Sequence, residues 1–279
     1  RPGMSGPTCV AASTTPQPEK SKPEQCGVGN PCNPADGMKF EVEVDTPASG
    51  PGFVSFRRSY NSLSKVSGFL GNKWRSPFES SLYLNTQTGI STVIASRPDG
   101  RILHFTLTNG AWTPDSDIRD TLVQTASGWT YSTPNGFSEL YSTSGRLLAL
   151  VNPYGITQSL AYGQNNKPSA ITDSFGHKLL FQYDSNNRLS TLTDDSGWTT
   201  TYVYDNKGNL VRASYPDGSG KQYHYENATF PNHLTGISYL AGSGTPIRYG
   251  TYSYTADGKA ASNNVFLAWS QYSSRETQA

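Results

Sequence analysis

Five tyrosines, Tyr141, Tyr162, Tyr183, Tyr204 and Tyr225, follow one another at intervals of 21 residues. A fixed period of this kind belongs to chains that stack one small supersecondary unit on the next, so function is to be sought in a built surface before a single pocket. Aligned on the tyrosines, the units share two turn signals. The first comes four to six residues on and ends in an apolar residue: Gly145-Arg-Leu147, Asn187-Arg-Leu189, Gly208-Asn-Leu210. The unit at Tyr162 reads Asn166-Lys-Pro168 at that place. The second is a glycine fourteen residues after each tyrosine: Gly155, Gly176, Gly197, Gly218. Asx and Gly supply the positive φ that tight turns require.

Two turns leave room for two short strands per unit. The second strand alternates with a period of two: Trp198, Thr200, Tyr202 and Tyr204 share one face. Its equivalents are His177, Leu179, Phe181 and Tyr183, and before them Ile156, Gln158, Leu160 and Tyr162. The first strand places its apolar residues three apart, Leu189 and Leu192 or Leu147 and Leu150, which a β-bulge would reconcile. Tyr, Thr, Val, Phe and Trp are plentiful, and no amphipathic helix is legible. The expected fold is all-β: stacked antiparallel hairpins whose tyrosines are buried against the next unit.

The segments Tyr183–Tyr204 (YDSNNRLSTLTDDSGWTTTYVY) and Tyr204–Tyr225 (YDNKGNLVRASYPDGSGKQYHY) resemble the YD repeats of Rhs proteins and teneurins. Tyr141 and Tyr162 are followed by Ser142 and Gly163 instead of Asp, so their units are degenerate copies. Gly29-Asn-Pro-Cys-Asn-Pro-Ala-Asp-Gly37, Phe56-Arg-Arg-Ser-Tyr-Asn-Ser62 and Gly68-Phe-Leu-Gly-Asn-Lys-Trp74 are similar to the region preceding the repeats in bacterial Rhs and polymorphic-toxin proteins. The resemblance implies a spiralling β-sheet that forms a hollow shell. It further implies a non-catalytic role enclosing or presenting a C-terminal toxin, with the rest of the shell and that cargo as partners, secretion machinery or cell-surface glycans as further candidates, and a secreted or cell-surface location. An exported adhesin-like module that binds glycans or a partner protein is the alternative.

The resemblance and the local patterns divide the chain into a Pro-rich leader at 1–26, a pre-repeat β region at 27–90 and diverged β repeats at 91–140. YD repeats follow at 141–258, then an out-of-register tail at 259–279. Compared with the family the chain stops early, and it is expected to be a fragment or a truncated product. In the pre-repeat region Val42 and Val44 face opposite to Glu41, Glu43 and Asp45, which suits an exposed antiparallel strand. Of Arg57 and Arg58, one is expected to point to solvent and the other to pair within the sheet.

Charged residues make up 15% of the chain and the net charge is +1. That is below the roughly 25% usual in soluble domains, and no basic stripe is present, which argues against nucleic-acid or anionic-membrane binding by bulk electrostatics. No apolar run approaches the roughly 20 residues of a membrane-spanning helix. Cys26 and Cys32 close a short glycine-containing loop that a disulfide can bridge, leaving Cys9 free, with unpaired thiols as the alternative. No ligand spacing suggests a metal, and no motif suggests a cofactor. His104, His177, His224 and His233 are dispersed. Asp173, Asp194 and Asp195 stand just before turn glycines, where Asp caps the turn, a better reading than an acid/base pair.

Overall fold

The computed structural model describes residues 32–33, 37–46, 54–87, 90–242 and 244–265. Six strands come first: β1 (Cys32–Asn33), β2 (Met38–Thr46), β3 (Phe56–Asn61), β4 (Ser67–Gly68), β5 (Gly71–Asn72) and β6 (Trp74–Arg75). β1, β2, β3 and β6 form a small antiparallel sheet in that order, and β4–β5 is a separate hairpin. One turn of 3₁₀ helix, Pro77–Glu79, follows; Ser76 and Glu79 cap it reciprocally.

Eighteen consecutive strands then make one antiparallel sheet. The first half comprises β7 (Ser81–Gln87), β8 (Ile90–Ser96), β9 (Ile102–Thr108), β10 (Ala111–Pro114), β11 (Thr121–Thr125), β12 (Gly128–Ser132), β13 (Ser138–Tyr141), β14 (Leu147–Val151) and β15 (Thr157–Tyr162). The second comprises β16 (Pro168–Asp173), β17 (Lys178–Tyr183), β18 (Leu189–Asp194), β19 (Thr199–Tyr204), β20 (Leu210–Ser214), β21 (Gly220–His224), β22 (Gly236–Leu240), β23 (Ile247–Tyr254) and β24 (Ala260–Val265). Each strand pairs with its neighbour in the chain. Among the described residues β24 and β7 share no ladder, so the sheet is open.

The bulge is present in every clear unit. Tyr183 pairs with Leu189 while Gln182 pairs with Thr191, which leaves Ser190 as the extra residue. The same slip occurs at Tyr141, Tyr162, Tyr204 and Tyr254. It turns Leu189 and Leu192 to the same buried side despite their spacing of three. Both turns recur with fixed geometry. The residue four after each tyrosine has positive φ at Gly145, Asn166, Asn187, Gly208 and Gly258. In the second turn Asp194 accepts the backbone N–H groups of Ser196 and Trp198, each at 2.9 Å, and Asp173 does the same for Phe175 and His177. β24 repeats the bulged pairing, Tyr254 with Ala260, so the 259 boundary expected for the tail falls inside a hairpin.

All the Tyr-to-Leu turns lie along one edge of the sheet and all the Asx-Gly turns along the other. Trp198, expected on the buried face with Tyr202, is instead 57% exposed on the second edge. The turn lifts it clear of the strand, which starts at Thr199. Tyr154 and Phe175 are exposed on the two preceding turns of that edge.

The small sheet and the β4–β5 hairpin pack against one face of β16–β23. Phe56, Tyr60, Phe69, Leu70, Trp74 and Phe78 share a core with Ile171, Phe181, Leu192, Tyr202, Tyr223 and Ile237. Trp74 meets Tyr223 edge-on at 5.0 Å and Phe56 meets Phe181 at 5.8 Å. Each such buried ring contributes about 1.5–3 kcal/mol of transfer energy. A second core under β7–β14 gathers Phe105, Trp129, Tyr131, Tyr141 and Leu147.

Candidate functional site

The repeated tyrosines are positioned by the bulge to reach backward with their hydroxyls. Tyr162 donates to the Leu147 carbonyl at 2.6 Å, Tyr183 to Pro168 at 2.6 Å and Tyr204 to Leu189 at 2.9 Å. Each bond stitches a unit to the apolar residue that opens the preceding first strand. Arg146 lies over the Tyr162 ring and Arg188 over the Tyr204 ring, both at 4.6 Å. Burial pushes the Tyr162 phenol up to about 12, so it remains a donor at any physiological pH. Two of the five tyrosines differ. Tyr141 gives its hydroxyl to Glu139, and Tyr225 accepts the Trp74 indole N–H at 2.9 Å.

The turns of this edge are also docking points for the N-terminal part of the chain and for the sheet's own first strand, β7. Leu82 N–H bonds the Gly145 carbonyl at 2.9 Å and Asn72 N–H bonds the Gly208 carbonyl at 3.0 Å. In the other sense, Leu189 N–H bonds the Phe69 carbonyl and Ala260 N–H bonds the Gly37 carbonyl, both at 2.7 Å. Gly145 and Gly208 are equivalent repeat positions, as are Leu189 and Ala260. A bulged turn therefore offers the same carbonyl or the same N–H in different units of the wall. Contact is close enough that, at Gly71 with φ +81°, a Cβ would sit 2.3 Å from the Gly208 oxygen.

Between the small sheet and β19–β21 lies a buried ionic cluster. The alternation of β2 is the one the sequence suggests, but the strand is not exposed on both faces. Val42 and Val44 face solvent, while Glu43 and Asp45 point inward. The polar face is buried because its partners come from the repeats. Arg58, fully buried, holds Asp45 through Nε at 2.7 Å and Nη2 at 3.1 Å, while Arg57 faces solvent. Tyr202 and Tyr215 donate to the same carboxylate at 2.7 and 2.9 Å. Arg58 also bonds Tyr223 and lies over the Trp74 ring at 4.6 Å, and Lys221 pairs with Glu43. Burial works to raise the Asp45 carboxyl, but Arg58 and the two hydroxyls outweigh it and hold it below the usual range. Four donated bonds fill the capacity of Asp45. The cluster is an adhesive joint in which Asp45 has no acceptor left over, while Glu43 Oε1 and Arg58 Nη1 are buried without a hydrogen-bond partner.

A similar but smaller joint ties the β8–β9 turn to β13. Arg97 grips Glu139 with two bonds of 2.6 Å and lies over the Tyr131 ring at 4.0 Å. The histidines are set apart: His177 bonds Asp173, and His224 bonds Ser238. Among the described residues no cluster of His, Cys, Asp and Glu could hold a metal ion, and no helix is long and apolar enough to cross a membrane. The Cys26–Cys32 pairing and Cys9 lie outside the described residues. Sequence reasoning missed Asp45, Tyr215 and Lys221 as a set. The one available signal was a strand with three acidic side chains on one face and a single basic residue, Lys39, beside them.

Two family models match the chain. Residues 29–105 match a domain of unknown function, DUF6531, and residues 183–219 match the RHS Repeat. Among solved structures, the crystal structure of TcdB2-TccC3-Cdc42 overlaps 79% of this chain at 10% identity, with a TM-score of 0.32. The crystal structure of TcdB2-TccC3 without its hypervariable C-terminal region overlaps 78% at 10% identity, with a TM-score of 0.31. This chain spans 14% of the length of each. No curated protein matches it.

Proposed function

We propose that this chain, an RHS-repeat protein by its repeat match and its ladder of bulged hairpins, forms a structural section of a coiled shell wall. The observation that carries the reading is the way the N-terminal segment lines one edge of the sheet. Backbone bonds at Leu189, Gly208 and Ala260 hold it along three of the repeat turns. That arrangement covers the turn ends of the hairpins and one face of the sheet, as an enclosing wall requires. In this reading the role is mechanical, the enclosed or presented cargo is a toxin domain, and the assembly acts outside the producing bacterium.

A second reading, a glycan-binding adhesin module, is favoured by one observation: the exposed rings of Tyr154, Phe175 and Trp198 on successive turns of the other edge. Sedimentation velocity combined with a glycan array separates the two. A wall section leaves one side of β24 without a ladder among the described residues, so the isolated chain should self-associate and bind no sugar. A clean monomer with micromolar glycan binding would sink the wall reading in favour of the adhesin.

A further inference from the structure

A repetitive wall poses a problem of register. Sliding the N-terminal segment by one unit, 21 residues, would offer it nearly the same apolar face. Phe56, Phe69 and Trp74 would again meet aromatic and aliphatic rows, and Asn187 would replace Gly208 as the turn that receives Asn72. Apolar contact alone discriminates poorly between such neighbours, whereas a buried charge tolerates only a site that satisfies it.

We propose that the Asp45–Arg58 pair is a register key, fixing which repeat unit the N-terminal segment docks on and hence how many strands intervene between the segment and its seat. The partners it reads in the native register are Tyr202, Tyr215, Tyr223 and Lys221. One unit earlier, the equivalent positions are Phe181, Asp194, Tyr202 and Thr200. There Asp45 would lose both hydroxyls and face a second carboxylate, and Glu43 would lose its ammonium. The next unit is longer, and counted from Tyr254 the equivalents of Tyr202, Tyr215, Tyr223 and Lys221 are Tyr223, Ala241, Tyr252 and Gly250; there Asp45 would lose one hydroxyl and Glu43 its ammonium. Only one seat on the wall satisfies the key. The idea does not depend on the shell reading, because it concerns the chain's own packing.

The test uses the full chain with a photo-reactive diazirine amino acid in place of Asn72, followed by mass-spectrometric mapping of the cross-link. With the key intact, cross-links should fall in residues 205–209. The double change Asp45→Leu with Arg58→Met replaces the pair by apolar side chains and should add a second population at 184–188. A second variant keeps the key and copies its seat one unit earlier, Phe181→Tyr with Asp194→Tyr. It too should yield cross-links at 184–188, and it serves if circular dichroism shows the first variant unfolded. Cross-links confined to 205–209 in a folded variant of either kind would overturn the proposal.

Discussion

Tyr204 donates its phenolic hydrogen to the backbone carbonyl of Leu189, fifteen residues earlier in the chain, at 2.9 Å. The bulge makes this reach possible, because it turns Leu189 and the tyrosine of the following unit to the same side of the wall.

Tyr204→Phe keeps the ring and removes that bond together with the longer one to the Phe69 carbonyl at 3.4 Å. The expected loss is about 1–2 kcal/mol, since the carbonyl of the buried Leu189 is left with one partner fewer. Urea denaturation of the single variant measures it directly. Tyr183→Phe should cost a similar amount through Pro168.

Position matters more than residue type on the first strand of each unit. Leu189 is fully buried, whereas Leu148, one residue past the bulge start in an earlier unit, is 37% exposed. Leu189→Ala is expected to cost about 2–5 kcal/mol through lost contacts and a residual cavity. Leu148→Ala should fall within about 0.5 kcal/mol of wild type. Equal losses in chemical denaturation would contradict the bulged register.

Asp45 sets an acid limit. Its carboxyl is depressed in the folded state by Arg58, Tyr202 and Tyr215, which together exceed the opposing effect of burial. A depressed carboxyl contributes stability that is fully present above its unfolded pKa of about 3.9 and is lost as pH falls through the lower folded value. Asp45→Asn leaves Arg58 buried without its counter-charge, at a cost of about 3–5 kcal/mol near neutral pH. The gap between variant and wild type should narrow below about pH 4. Comparing the two denaturation midpoints across that range isolates Asp45 from Glu43 and Lys221, and a constant gap would refute the assignment.

Much of this molecule was legible from its sequence. The tyrosine period, the two turns and the three-residue spacing of Leu189 and Leu192 together implied bulged hairpins, because each is a local consequence of backbone geometry. The inward face of β2 was not. Alternation shows which residues share a face but not which face is buried. That is decided by Tyr202, Tyr215 and Lys221, more than 150 positions away. The edge docking was equally hidden, because backbone groups of Gly37, Phe69 and Asn72 form its bonds and carry no side-chain signature.

The turn position four after each tyrosine offers a further check. Asn187 has φ +60° and its equivalent Gly208 has φ +85°. Asn187→Gly should be neutral or slightly stabilising, whereas Asn187→Val should cost at least about 1–2 kcal/mol, because a β-branched side chain is strained in the left-handed region. Thermal melts of the pair should therefore move in opposite directions or by clearly different amounts.

The hydroxyl bonds of Tyr162, Tyr183 and Tyr204 all point toward residues already synthesised. A nascent chain can therefore fasten each hairpin as soon as its closing tyrosine leaves the ribosome, before the next unit has been made. Growth of the wall becomes a ratchet with a step of one unit. Force-sensing arrest peptides placed along the chain should register pulls recurring 21 residues apart; a single pull at one length would mean that the wall folds all at once.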